Sequence, residues 1–222
     1  MFEFDERAIE EARGIISNIS FPEFFGADDD EFDDEDLTLQ LKSYTNRKFY
    51  VYHGVTKVVI DFYDFSFVIK IPFDGWWDMD EFVPFEYAPY KETNNYCGAD
   101  YEETLRLEKN GFGGFAPRII PFGIFENRVA FAQEKIIPYW DGINSIKISQ
   151  NSKDKAEDFN DDCPFATNWI AAAIEIFGEE KCAEFFKWSR HEVFINDMHC
   201  GNYGFTKDGR PIIFDLSGYY EN

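Results

Sequence analysis

An Asp and an Asn stand five residues apart in the stretch FINDMHCGNYG, and a further Asp follows an apolar run a little later in the chain. These residues are Asp197, Asn202 and Asp215. Between them, Asp208-Gly209 separates two apolar runs, which predicts a β-hairpin with a two-residue turn. A hairpin brings its two ends together, so we expect Asn202 and Asp215 to lie close in space.

Two oxygen-bearing side chains at the mouth of a hairpin suit a hard divalent cation, and Mg²⁺ is usually held by one or two carboxylates together with substrate phosphates. We therefore predict Asn202 and Asp215 as metal ligands. Asp197 is then free to orient a hydroxyl group or to accept its proton, which is what phosphoryl transfer requires of a protein. For His199 the pattern favours packing against the loop backbone over catalysis.

These residues resemble the protein-kinase-like phosphotransferases, whose pattern has an Asp, an Asn five residues later and a metal-binding Asp before a Gly. Here DMHCGN supplies the first two, and DLSG stands in for the Asp-Phe-Gly element. The His within DMHCGN is more similar to small-molecule and to bacterial or phage kinase-like proteins. The resemblance implies an α+β, two-lobed fold, with a five-stranded antiparallel N-lobe and a truncated helical C-lobe, that uses ATP and Mg²⁺.

The resemblance assigns roles in the N-terminal half as well. Lys70 in FVIKIPF matches the strand lysine that contacts the α- and β-phosphates. A helix after it is expected to carry the acid that pairs with this lysine, and Glu102 is the choice because Leu105 would pack on the same face; Glu103 is the alternative. A lysine inside an apolar strand is costly unless it is paired, so a partner carboxylate is expected on any interpretation.

Three further residues match nucleotide-binding positions: Gly54 in the first turn, and Glu134 with Lys135 in the linker that would hold adenine through backbone groups. The chain departs from the family in two ways. The first turn, YHGVTKV, has only Gly54, and the Gly-rich segment GFGG follows a helix where no phosphate loop is expected. Only seven residues follow Asp215, so the segment that docks peptides in protein kinases is expected to be missing. This argues against protein substrates.

Hydrophobic periodicity predicts the elements that position these residues. A helix is expected from Asp5 to about Asn18, followed after Lys48 by three antiparallel strands. Residues 74–96 look like a loop, then come a helix ending at Gly111, two strands turning at Glu126-Asn127, a polar surface connection and two helices. The predicted domains are an acidic extension (1–45), an N-lobe (46–140) and a reduced C-lobe (141–222).

Composition limits the partners. Asp and Glu outnumber Lys and Arg by 43 to 21, which gives a net charge of −22 over 222 residues. Such a charge repels polyanions, so nucleic acid and anionic membranes are not expected as partners.

No signal peptide or membrane-spanning run is evident, and the four cysteines have no metal-site spacing, so free thiols in the cytoplasm are expected. The acidic stretch Asp28–Asp36 is predicted to be a solvated loop, with docking of a basic protein as the functional alternative.

The sequence thus predicts an ATP- and Mg²⁺-dependent phosphotransferase with an unnamed acceptor. Two alternatives remain open. One is a nucleotide-binding pseudokinase that acts as a switch or scaffold, and the other is an acidic interaction protein on an inert kinase-like body. Transfer of another group in place of phosphate is also open.

Overall fold

A computed structural model of the chain describes residues 2–20, 25–26, 34–54, 56–73, 75–78, 81–84, 96–125, 128–159 and 163–216. The chain divides into two compact units. Unit 1 comprises Met1–Glu102 and Arg118–Glu134, and unit 2 comprises Glu103–Pro117 and Lys135–Asn222. The broad α+β class expected from the sequence is confirmed. Within the described residues, no helix is both long and apolar enough to cross a membrane.

Unit 1 is built around a sheet with helices before and within it. Its elements are α1 (Glu6–Ile16), β1 (Phe25–Gly26), α2 (Asp34–Tyr44), β2 (Phe49–His53), β3 (Lys57–Phe62), β4 (Phe67–Pro72), β5 (Gly75–Asp78), β6 (Glu81–Pro84), the first part of α3 (Tyr96–Lys109), β7 (Ile119–Phe125) and β8 (Arg128–Glu134). Among the described residues, five antiparallel strands form the main sheet in the order β2-β3-β4-β8-β7. This five-stranded sheet was predicted.

One face of that sheet is apolar. Because side chains alternate along a strand, β3 and β4 send the same class of residue to one side. That side carries Val58, Ile60, Ile69 and Ile71, each at most 1% exposed. The opposite face carries Lys70, whose register partners are Val59 on β3 and Phe131 on β8.

The apolar face is covered by the two N-terminal helices. α1 begins at Asp5, whose carboxylate accepts hydrogen bonds from the first free backbone amides, and it buries the stripe predicted from the sequence. α2 adds Leu37 and Leu41, one turn apart and both 0% exposed, to the same hydrophobic cluster. Residues 1–45 therefore do not form a separate extension, because their described helices complete the core of unit 1.

Unit 2 is mostly helical. After the second part of α3 it contains β9 (Ile136–Pro138), α4 (Tyr139–Gly142), α5 (Gln150–Glu157), α6 (Thr167–Phe177), α7 (Glu179–Ser189), β10 (Tyr203–Thr206) and β11 (Pro211–Ile213). α6 is buried along most of its length because its sequence, TNWIAAAIEIF, has apolar residues on nearly every face. Trp169, fully buried, stacks on Phe165 at 4.6 Å between ring centroids.

A small sheet, β11-β10-β9, packs against that helical core. The indole Nε1 of Trp169 donates a hydrogen bond to the Gly204 carbonyl at 3.0 Å, which fastens β10 to α6. A Cβ at position 204 would collide with the carbonyl oxygen of Ile137 on β9, so only glycine allows the two strands to approach this closely. These contacts hold the hairpin that follows Asn202.

Several connections differ from the prediction. The segment predicted as a loop after β4 contains the antiparallel pair β5–β6. The polar connection contains α5, whose Ser149 and Ser152 hydroxyls donate to Glu175 on α6 and lower the pKa of that carboxyl. The second strand predicted after α3 is divided into β8 and β9. The chain leaves the main sheet after Glu134, and β9 then pairs with β10. The predicted turn at Glu126-Asn127 lies outside the described residues.

Candidate functional site

In unit 1, Lys70 is buried and paired. Its ammonium nitrogen lies 3.1 Å from the Asp100 Oδ2 atom, and the two residues are 5% and 1% exposed. Lys70 points to the sheet face opposite α1 and α2, where the first part of α3 carries Asp100. A buried charge of either sign is costly alone, so the ion pair accounts for the presence of both residues.

The partner of Lys70 is thus Asp100, and the choice of Glu102 is wrong. Glu102 is exposed, and Leu105, which was expected to pack on the inner face, is 40% exposed. The inner face of α3 carries Cys97, Asp100, Thr104 and Leu107, at helical spacing and each at most 5% exposed. The alternative, Glu103, forms an ion pair with Arg106 at 3.3 Å within unit 2.

A second lysine belongs to the same cluster and was missed. Lys57, the first residue of β3, lies 3.1 Å from the same Asp100 Oδ2 atom and is 6% exposed. The sequence did hold a signal, because Lys57 begins the strand KVVI just as Lys70 interrupts the strand FVIKIP. The argument that a lysine within an apolar strand needs a carboxylate applies to both.

The turn that precedes Lys57 closes on itself. The Gly54 N–H donates to the Lys57 carbonyl at 3.0 Å, so this amide serves the turn. A Cβ added to Gly54 would meet nothing within 4 Å, and its backbone does not occupy the left-handed region. The turn therefore does not require glycine, and the Gly54 amide is not offered to a phosphate as a glycine-rich loop would offer it.

Glu134 and Lys135 lie where the chain passes from unit 1 to unit 2. Glu134 is 4% exposed; its carboxylate accepts a hydrogen bond from the Arg118 N–H at 3.1 Å, and its own N–H donates to the Arg118 carbonyl at 2.8 Å. These bonds close the end of the β7–β8 pair. The Glu134 N–H is therefore not open to the predicted adenine contact.

In unit 2, the loop that carries Asp197, the predicted acceptor-orienting residue, starts with a 3-10 helix, Val193–Asp197. The side chain of Asp197 lies outside the described part of the structure. His199 accepts a hydrogen bond from the Gly201 N–H at its Nδ1 atom, at 3.0 Å. A Cβ on Gly201 would approach the His199 ring to 2.7 Å, so the tight turn depends on both residues. This agrees with the predicted backbone-orienting role of His199.

The hairpin brings its two ends together as predicted. The Phe214 N–H donates to the Asn202 carbonyl at 2.8 Å, which places Asn202 opposite the residue that precedes Asp215. Asn202 is 5% exposed, and its N–H donates to the His199 carbonyl at 2.8 Å. The Thr206 N–H donates to the Arg210 carbonyl at 2.9 Å, which leaves three residues in the turn and not the two expected, with Gly209 at φ 85°.

Asp215 has a left-handed backbone conformation, with φ 58°. It is the one non-glycine residue with positive φ among those described. Asp tolerates this region better than most residues, but the conformation is strained, and such strain concentrates at functional sites. The conformation turns the chain sharply at the end of the hairpin, beside the buried Asn202.

The segment before the loop is tied to α3. Arg106 forms ion pairs with both Glu103 and Glu192, and it lies over the Trp188 ring at 5.9 Å. Glu192 is 7% exposed, and burial raises the pKa of its carboxyl even though Arg106 lowers it. Because Glu192 directly precedes the 3-10 helix, these contacts fix the start of the loop that contains Asp197.

Among the described residues, no three or more His, Cys, Asp or Glu side chains gather as metal ligands. A Mg²⁺-nucleotide site does not need such a group, since phosphate oxygens complete the coordination. The amide of Asn202 and the carboxylate of Asp215 are oxygen ligands of the type that Mg²⁺ takes, and the hairpin places the backbone of Asn202 beside Phe214, the residue before Asp215. The chemistry of these two side chains therefore fits the ion.

The chain was compared with known proteins. No protein-family description matches it. No curated protein matches it either.

Proposed function

We propose that this protein is an ATP- and Mg²⁺-dependent phosphotransferase. The observation that carries the proposal is the closed hairpin of unit 2. It places the buried Asn202 beside Phe214, and Phe214 directly precedes Asp215, whose backbone is strained. The buried ion pair of Lys70 and Asp100 supports it, because lysine is a common phosphate-binding residue and Asp100 fixes the position of its ammonium group. The four residues have the chemistry that phosphoryl transfer needs, which is mainly positioning and charge.

In the proposed reaction, each of the five residues named below has one role. Lys70 donates hydrogen bonds to phosphate oxygens, and Asp100 holds Lys70 in place. Asn202 and Asp215 would hold Mg²⁺, which when bound neutralises charge on the phosphates. Asp197 orients the hydroxyl of the acceptor and accepts its proton. The bond between the acceptor oxygen and the γ-phosphorus forms, the bond from that phosphorus to the β-phosphate oxygen breaks, and ADP leaves.

Turnover is the direct test. The full chain is incubated with Mg²⁺ and ATP labelled in its γ-phosphate, with a panel of hydroxyl-bearing small molecules, and with water alone. We expect labelled product or labelled phosphate that disappears when EDTA removes the metal. Binding of ATP without transfer to any acceptor, water included, would contradict the proposal.

That outcome would favour a second candidate, a nucleotide-binding switch without turnover. The observation that favours this candidate is the turn at Gly54, where the Gly54 N–H donates to the Lys57 carbonyl within the turn. A glycine-rich loop holds phosphates with several backbone amides. A site that lacks this contact grips the γ-phosphate less firmly and can still bind the rest of the nucleotide.

A further inference from the structure

Lys57 has no task in the proposed reaction, although it shares a carboxylate oxygen with Lys70. We infer that Lys57 is a second phosphate-binding residue, and that the pair selects ligands with at least two adjacent phosphates. This inference rests on the proposed function, because it concerns the same site. It identifies the diphosphate part of the ligand as the feature that unit 1 recognises.

The strand register places the two lysines on one face. Val59 pairs with Lys70 across β3 and β4, and Lys57 lies two residues before Val59 on the same strand. Residues two apart on a strand point to the same side, so Lys57 is the diagonal neighbour of Lys70. Both ammonium groups bond the Oδ2 atom of Asp100 at 3.1 Å, so their nitrogens lie within about twice a hydrogen-bond length of each other.

That spacing suits neighbouring phosphates of one ligand. A lysine ammonium has three N–H donors. The Lys70 ammonium donates a hydrogen bond to Asp100, and so does the Lys57 ammonium. Lysine binds phosphate as a point charge. Two ammonium groups side by side therefore favour a di- or triphosphate over a monophosphate.

The position of Lys57 also compensates for the lack of a glycine-rich phosphate loop at the first turn. Lys57 directly follows that turn, at the start of β3. In a kinase-like protein, a glycine-rich loop at this place would cover the phosphates. The Gly54 amide donates to the Lys57 carbonyl and is not available. A side-chain ammonium at this point supplies the positive charge that the missing backbone amides do not. This charge is local, in a chain whose net charge is −22.

The competing explanation is structural. A buried ion pair can simply join α3 to β3 and β4, and removal of one partner from such a pair is strongly destabilising. The two explanations differ in their dependence on the ligand. A purely structural Lys57 affects unfolding and leaves nucleotide affinity unchanged in the folded protein, whereas a phosphate-binding Lys57 affects affinity according to the number of phosphates.

The test is calorimetric titration of the full chain with AMP, ADP, ATP and inorganic tripolyphosphate, each with Mg²⁺. The variants are Lys57→Met and Lys70→Met, with Lys48→Met as the control, because Lys48 is exposed and its loss changes the net charge equally. Loss of a charged hydrogen bond should weaken ADP, ATP and tripolyphosphate by about 10- to 100-fold in Lys57→Met. AMP should change by less than about threefold, and Lys48→Met should match the wild type.

Unchanged ATP affinity in a folded Lys57→Met, with Lys70→Met impaired, would overturn this inference and leave the proposed function standing. A wild type that binds tripolyphosphate through Lys57 but no nucleotide would overturn the proposed function alone. Binding of none of the four ligands would overturn both.

If Lys57→Met does not fold, NMR of the wild type labelled at lysine replaces it, with Lys57→Arg used to assign the Lys57 signal. Tripolyphosphate should then shift the Lys57 signal, and a shift of Lys70 alone would contradict the inference.

Discussion

Among single residues, the proposed reaction depends most on Asp197. Its backbone ends the 3-10 helix Val193–Asp197, which directly follows Glu192, the ion-pair partner of Arg106. If it orients the acceptor, it touches neither the nucleotide nor the metal. Its loss should therefore separate binding from turnover.

We predict that Asp197→Ala binds ATP with Mg²⁺ as the wild type does and turns over about 10²–10⁴-fold more slowly, which is the usual cost of losing a positioned base. The measurement is calorimetric binding and γ-phosphate transfer on the same preparation. Asn196→Ala is the matched control, since Asn196 is the exposed neighbour on the same 3-10 helix. Equal turnover in Asp197→Ala and Asn196→Ala would show that Asp197 is not the acceptor-orienting group.

The residue scale also shows what sequence could and could not predict. The spacing of Asn202 and Asp215 about a turn was enough to predict that the hairpin would bring their positions together. The partner of Lys70 was not predictable in the same way, because three acids, Asp100, Glu102 and Glu103, occur within four residues. Which of them faces the sheet depends on the rotation of α3, whose part in unit 1 packs on the sheet through Cys97, next to Ile119 and Phe131.

At the scale of elements, the N-terminal helices belong to the core of unit 1. α2 was missed because its sequence, DEDLTLQLKSY, begins within an acidic run and shows only two core residues, Leu37 and Leu41, one turn apart. Elements with a longer apolar pattern were predicted correctly: α1, α6, α7 and the three strands β2 to β4. A short amphipathic helix is specified largely by the surface that it covers, which the sequence alone does not show.

We predict that Leu41→Ala lowers the free energy of unfolding by about 2–5 kcal/mol, the usual cost of emptying a buried leucine site. Leu39→Ala is the control on the same helix, because Leu39 is 63% exposed while Leu41 is 0% exposed. Its effect should stay within about 0.5 kcal/mol. Urea unfolding followed by fluorescence measures both. Similar losses for the two variants would mean that α2 does not pack on the sheet in this register.

At the scale of the whole molecule, the net charge of −22 sets the conditions for any partner. Residues 28–33 of the acidic stretch lie outside the described residues, while Asp34 and the residues after it begin α2. Deletion of residues 1–45 would remove core leucines and isoleucines together with the acids. Substitution of the acids alone tests docking without disturbing α1 and α2.

We propose that the stretch Asp28–Asp36 docks a basic protein, and we predict that replacing Asp28, Asp29, Asp30, Glu31 and Asp33 by their amides weakens binding of a polylysine probe. The binding should be electrostatic, so it should also fall as salt rises, since screening shortens the range of surface charge to about 8 Å at physiological ionic strength. Fluorescence anisotropy at low and high salt measures it. The same number of acids replaced on the exposed faces of α5 and α7 provides the control. If both sets of substitutions have the same effect, the stretch contributes only to net charge.

The proposed function requires a metal-dependent nucleotide site of which Asp215 is part. A triphosphate is repelled by a chain of this charge unless a cation neutralises it. The measurement is calorimetric titration of ATP into the wild type, Asp215→Asn and the exposed control Asp158→Asn, each with Mg²⁺ and with EDTA. We predict that Mg²⁺ strengthens ATP binding at least about tenfold in the wild type and in Asp158→Asn, and that Asp215→Asn loses most of this difference. A full Mg²⁺ effect in Asp215→Asn, or no binding of ATP by the wild type under either condition, would contradict the account.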